Sequence, residues 1–203
     1  MKRTATEHLT QWKDRPGRKP LLVRGARQVG KSHLVRQFGR DCFENLVEVN
    51  LERFPDIGEL FVSNDPSKII QLLQLRLGSS INPGKTLLFL DEIQSAPSVI
   101  STLRYFYEEL PQLHVIAAGS LLEFALSDFP HPMPVGRIEY MHLGPMQFEE
   151  FLVASGQEML VDFMASLAPT DAIPGPIHAR IMGFYRVFLL LGGMPEAISA
   201  YLQ

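Results

Sequence analysis

Gly25-Ala26-Arg27-Gln28-Val29-Gly30-Lys31-Ser32 is the stretch of this chain whose residue types and spacing point most directly to chemistry. It fits G-x-x-x-x-G-K-[ST], in which glycines let successive backbone N–H groups turn inward around phosphate oxygens and the following helix adds its positive end. A chain of this length meets that pattern by chance about once in a hundred. Lys31 is expected to reach the β and γ phosphates of a nucleotide, and Ser32 to place its hydroxyl on Mg²⁺. The expected nucleotide-binding set runs from Gly25 through Ala26, Arg27, Gln28, Val29, Gly30, Lys31 and Ser32 to His33, although His33 itself reads as a solvated helix residue rather than a base.

Such a cradle needs a carboxylate on a neighbouring strand to hold the magnesium. Leu87-Leu88-Phe89-Leu90-Asp91-Glu92 supplies it: four apolar residues bury the strand and two acids emerge where it ends. Asp91 is the metal candidate. Glu92 is placed to polarise a water in line with the γ phosphate, which is hydrolase chemistry. The other reading of the pair is two acids favoured by a helix N-terminus.

The elements that must position these residues are legible as alternating apolar patterns. Leu21-Leu22-Val23 ending in Gly25 reads as a buried parallel strand, and Leu34, Val35 and Phe38 as the stripe of a helix stopped by Gly39. Leu46 to Leu51 reads as a strand, Ser67 to Leu77 as an amphipathic helix, and Thr86 to Leu90 as a central strand. Val99, Leu103, Phe106 and Leu110 mark another helix, and His114 to Ala118 a further strand ending at Gly119. Alternation of this kind predicts an α/β domain with a parallel sheet, helices on both faces and right-handed crossovers. Past Ser120 the pattern changes: a helix over Leu121 to Leu126, a Pro-rich stretch from Pro130 to Pro134, a strand from Arg137 to Leu143, and a helix beginning at Phe148. Ala168 to Pro176 reads as a linker, and Ile177 to Leu191 as a last helix ended by Gly192-Gly193-Met194-Pro195.

Composition narrows the classes. With 203 residues, 46% apolar and 20% charged, the chain can bury a real core and is unlike disordered or fibrous proteins. No apolar run approaches the length that spans a bilayer and the N-terminus lacks a signal-peptide core, so no membrane partner and a cytoplasmic location are expected. The single Cys42 excludes an internal disulfide, and six scattered His residues give no zinc-ligand spacing. The net charge of −3 hides an asymmetry: residues 1–40 carry +9 and the rest −12. Ordinary solvated helix faces, a positive field around a polyphosphate and a nucleic-acid contact surface would all produce that basic end.

Further motifs join the first two: Leu90-Asp-Glu-Ile-Gln94, Ala118-Gly-Ser120, Gly136-Arg137, Leu143-Gly-Pro-Met-Gln-Phe-Glu-Glu-Phe151 and Gly192-Gly-Met-Pro-Glu196. As a set they resemble the prokaryotic AAA-superfamily ATPases of AAA domain family fourteen, from about Lys19 to the end of the chain. The resemblance implies a P-loop NTPase with a five-stranded parallel sheet of order 5-1-4-3-2, ATP and Mg²⁺ as ligands, and in most members a second C-terminal domain. It also implies an organisation into a helical lead-in over 1–18, the ATPase core over 19–145, and a helical extension over 146–203 as the start of a truncated lid or C-terminal region. Carried over residue by residue, Lys31 and Ser32 serve phosphate and metal, Asp91 the metal, and Glu92 the attacking water. Ser120 stands at the place of a γ-phosphate sensor, where many relatives have Asn or Thr; a Ser capping the next helix is the other reading. Arg137 stands where related ATPases present an arginine to the nucleotide, in cis or from a neighbouring subunit of a homo-oligomer; a surface salt bridge is its other reading.

The expected function is an ATPase domain that hydrolyses ATP to ADP and phosphate to drive or switch an unknown protein partner. The alternative is an ATP-binding regulatory module with negligible hydrolysis, for which the basic segment offers an association with DNA. A small-molecule kinase is disfavoured by Glu92.

Overall fold

The computed structural model describes residues 1–120 and 136–203. The expected helix over Leu121 to Leu126 and the Pro-rich stretch lie outside them. The chain divides into two compact units, Ala5–Leu143 and Met1–Thr4 with Gly144–Gln203.

The first unit opens with helix α1 (Ala5–Asp14) and is built on five parallel strands, β1 (Leu21–Arg24), β2 (Asn45–Asn50), β3 (Thr86–Asp91), β4 (His114–Gly119) and β5 (Glu139–His142). Their order across the sheet is β2-β3-β4-β1-β5, the expected 5-1-4-3-2 read from the other edge. Helices α2 (Lys31–Cys42), α3 (Pro66–Leu77) and α4 (Ser98–Glu109) are the crossovers. Every residue of β3 and β4 is buried, as central parallel strands covered on both faces require. Leu88 and Leu90 enter one apolar cluster with Ile69 and Leu73 of α3 and Val99, Leu103 and Phe106 of α4. Leu87 and Phe89 alternate to the opposite face and are equally inaccessible, each such side chain contributing about 1.5–3 kcal/mol by leaving water.

The α2 helix departs from expectation at Gly39, which does not stop it. The helix runs on to Cys42, and a Cβ at Gly39 would stand 2.8 Å from Leu46 Cδ1 and 3.2 Å from Leu87 Cδ2. This glycine lets the helix lie close on the sheet. The α3 helix follows its signals: the Asp65 carboxylate accepts from the Ser67 and Lys68 amides, Pro66 takes the first turn, and Gly78 at φ 63° ends it.

The second unit is helical, with α5 (Phe148–Ala154), α6 (Glu158–Ser166), α7 (Gly175–Leu191) and α8 (Pro195–Leu202). The expected linker is shorter than its composition suggests, because Gly175 and Pro176 form the first turn of α7, where proline needs no N–H partner. The N-terminal segment is anchored here: Arg3 Nε lies 3.0 Å from Glu150 Oε1, and the same carboxylate accepts from the Thr4 amide at 2.8 Å. Its other oxygen accepts from the Gln147 amide at 2.9 Å, closing the capping box of α5. Burial pushes the Glu150 carboxyl up, and the Gln147 and Thr4 amides with Arg3 together outweigh it, holding it below the usual range. Among the described residues no helix is long and apolar enough to cross a membrane.

Candidate functional site

The loop 25–30 leaves the end of β1 and enters α2. Gly25 at φ 152° and Gly30 at φ 90° take backbone conformations that side chains disfavour, and Gln28 at φ 64° is left-handed without being glycine. Gly25 is required for a second reason as well. A Cβ there would lie 2.1 Å from the Leu143 carbonyl oxygen just past β5. Gly30 caps α2 without any side-chain hydrogen bond, and no acidic residue stands in the helix's first turn. The first N–H groups of α2 are therefore not answered by a side chain of the cap, which is the arrangement that receives an anion.

The Lys31 side chain folds back over the loop and its ammonium donates to the carbonyls of Gly25 at 3.0 Å and Ala26 at 2.7 Å. Burial lowers its pKa, opposed by the negative charges of Glu92 and Asp91. Val29 is fully buried beneath the loop, whereas Ala26, Arg27, Gln28 and His33 are exposed.

The Ser32 hydroxyl donates to Asp91 Oδ1 at 3.0 Å, and the Glu92 amide reaches the same oxygen at 3.1 Å. The start of α2 and the tip of β3 thus meet at one carboxylate. Asp91 is 3% exposed, and burial raises its pKa against the pull of the Ser32 hydrogen bond. Its Oδ2 lies 3.6 Å from Arg36 Nη2, and Arg36 is held by Glu48 through two hydrogen bonds of 2.8 and 2.6 Å. Neither Arg36 nor Glu48 was legible as part of the site: Arg36 lies outside the loop pattern, and Glu48 arrives from β2 only through the fold.

Glu92 takes the left-handed conformation, φ 53° and ψ 46°, which costs a side-chain-bearing residue on the order of 1 kcal/mol. Its carboxylate accepts from Gln94 Nε2 at 2.5 Å. Ser120 is buried directly after Gly119, which pairs with Arg24, so it stands level with the start of the loop. Arg137 is the one expected catalytic residue not brought to this place. Glu139 pairs with Leu21 at the opposite end of β1, about 13 Å from Gly25 at the rise of a strand, and Arg137 lies in the turn before it. Its Nε donates to Glu108 at 2.7 Å and its guanidinium lies over the Tyr107 ring.

Part of the basic N-terminal segment is matched from within. Arg3 meets Glu150, Arg15 meets Glu139 and Arg36 meets Glu48, so cations early in the sequence are answered by acids later in it.

Among solved structures the chain is similar to AMPPCP-bound DnaA from Aquifex aeolicus, at 13% identity and TM-score 0.48, covering 98% of this chain and 59% of that one. It is similar to C. elegans PCH-2 at 11% identity and TM-score 0.49, covering 97% and 56%, and to the Aeropyrum pernix ORC2 protein (ADPNP-ADP complexes) at 18% and 0.46, covering 75% and 48%. The chain thus spans less than two thirds of the length of each. No curated protein matches it in sequence. The sheet order and the strand–loop–helix at its centre are those of a P-loop NTPase. The sequence signature of the AAA domain matches residues 17–152, two thirds of the chain, and the protein belongs to that family of ATPase domains.

Proposed function

We propose that this chain binds Mg²⁺·ATP in the loop 25–33 and hydrolyses it to ADP and phosphate, using the turnover to switch or drive a protein partner. The observation that carries the reading is the 3.0 Å hydrogen bond from Ser32 to Asp91, because it joins the anion-receiving helix start to the acidic strand tip. One hydroxyl and one carboxylate are a fitting partial donor set for a hard, six-coordinate cation that takes its remaining oxygens from water and phosphates. Ser32 and Asp91 would hold the ion, which supplies charge neutralisation at the phosphates. Lys31 would exchange its two loop carbonyls for phosphate oxygens, Ser120 would contact the γ phosphate, and Glu92 would accept the proton of the attacking water.

Arg137 lies in the turn before β5, at the end of β1 away from the loop of its own subunit, which favours its acting from a neighbouring copy in a homo-oligomer. The same observation supports a second reading, in which the isolated chain holds ATP as a regulatory ligand and turns it over negligibly. Association with nucleic acid through the basic segment is weakened by the internal pairing of Arg3, Arg15 and Arg36.

Binding and turnover of ATP should be measured across protein concentration. Lys31→Ala should weaken ATP binding at least ten-fold, and Glu92→Gln should retain binding while lowering kcat by about 10²-fold or more. Unchanged hydrolysis in both variants sinks the assignment. Turnover that rises with protein concentration and is lost in Arg137→Ala supports the arginine in trans.

A further inference from the structure

The carboxylate proposed to activate water is tethered from within its own loop. Gln94 sits in the short 3-10 turn Ile93–Ser95, whose backbone is pinned by the Ser95 amide on Glu92 O at 3.0 Å and the Ala96 amide on Ile93 O at 3.1 Å. Ile93 is fully buried beneath it. From this fixed base Gln94 Nε2 donates to Glu92 Oε2 at 2.5 Å, a charge-assisted contact. The orientation of the amide follows from charge: an ionised carboxylate can only accept, so the NH₂ must face it. That choice leaves Gln94 Oε1 buried without a hydrogen-bond partner. A buried acceptor without a partner, next to a left-handed glutamate, marks a place where local stability has been subordinated to geometry.

We infer that Gln94 is a positioning residue: its amide N–H fixes the Glu92 carboxylate at the tip of β3, so that the oxygen left over is presented in one orientation to the attacking water. The inference rests on the hydrolytic reading above and adds to it a residue that touches neither nucleotide nor metal. With three rotatable bonds beyond a strained backbone, an untethered Glu92 would sample several rotamers, and only one serves an in-line water.

Three measurements test it. In the nucleotide-free protein, the Gln94 side-chain amide protons, assigned by their disappearance in Gln94→Leu, should exchange with solvent at least ten-fold faster in Glu92→Ala than in the wild type; equal exchange overturns the tether. In turnover, Gln94→Leu should lower kcat by about ten- to a hundred-fold with ATP KM and Kd within two-fold of wild type. Gln94→Glu, which keeps the side chain's size and replaces the donor with a repelling charge, should lose at least as much and covers a folding failure of the leucine variant. In a Glu92→Gln background, Gln94→Leu should cost no further activity. A kcat loss under three-fold, a rise in kcat, or a matching loss of ATP binding overturns the inference even where Glu92→Gln is inactive. Absence of wild-type turnover instead overturns the hydrolytic reading, and the exchange measurement still decides whether the tether exists.

Discussion

The unit Ala5–Leu143 and the unit of Met1–Thr4 with Gly144–Gln203 are held together by different means. The first is organised around two central strands, β3 and β4, in which every residue is buried, with helices fitted to both faces. In the second, the 17-residue α7 buries only Ile181, and Leu189 and Leu190 stand 61% and 88% exposed. Aromatic edges and faces fill its small core, with Phe148 against Phe151, Tyr185 and Phe188, and a buried carboxylate fixes its N-terminal segment. The site residues sit on the first kind of scaffold, where a strand end and a helix start cannot drift.

Glycine substitutions break or sharpen that contrast most strongly. At Gly25 a Cβ meets the Leu143 carbonyl at 2.1 Å with φ 152°, and at Gly193 it meets the Met146 carbonyl at 2.4 Å. Both neighbours are backbone and cannot step aside. Gly25→Ala should cost more than about 4 kcal/mol and abolish ATP binding. Gly193→Ala should instead raise amide exchange across 144–203 while calorimetry still detects ATP binding. Loss of binding in both variants would show that the two units do not respond separately. Next in size is Glu150→Ala, which leaves the 7%-exposed Arg3 with its buried carboxylate partner removed, at a cost of about 3 kcal/mol. Exchange should again rise across 1–4 and 144–203, with the sheet unaffected.

The contrast also explains what could be read beforehand. The strands, the loop and the two acids were legible because a continuous apolar run, a glycine pair and a strand-end carboxylate are local signals, whereas the order of the strands came only from the family resemblance. Gly39 misled because a glycine that ends a helix and one that admits a close neighbour look alike in sequence; only Leu46 and Leu87, brought up by the sheet, tell them apart. The anchoring of Glu150 was illegible because its cation lies 147 residues away. The same holds for Arg36 and Glu48 beside Asp91. The α6 helix and the 3-10 segment Pro55–Phe61 gave no periodic signal that stood out from a loop. Gln94 was visible within its motif, but its hold on Glu92 depends on a left-handed turn that no periodicity announces.

The smallest effect is one of acid, and it should fall on the sheet unit. His114 at the start of β4 is buried between the ring edges of Trp12 and Phe43, accepts from Arg18 at Nδ1, and turns Nε2 to the Lys13 carbonyl. Burial and then the adjacent Arg18 charge push its pKa down to about 4, against the opposing hydrogen bond with the Lys13 carbonyl. The folded sheet unit therefore binds fewer protons than the unfolded chain between about pH 6.5 and 4, and its stability falls as pH drops through that window. Glu150 has a lowered pKa, so its contribution is intact above its unfolded value and is lost only at more acid pH. Urea unfolding followed by exchange from pH 7 to 4.5 should show the sheet unit weakening by about 2 kcal/mol while residues 144–203 change little. His114→Gln, which keeps an acceptor and a donor without a titrating ring, should flatten that slope. An equal slope in wild type and variant would mean that the proton is taken up elsewhere.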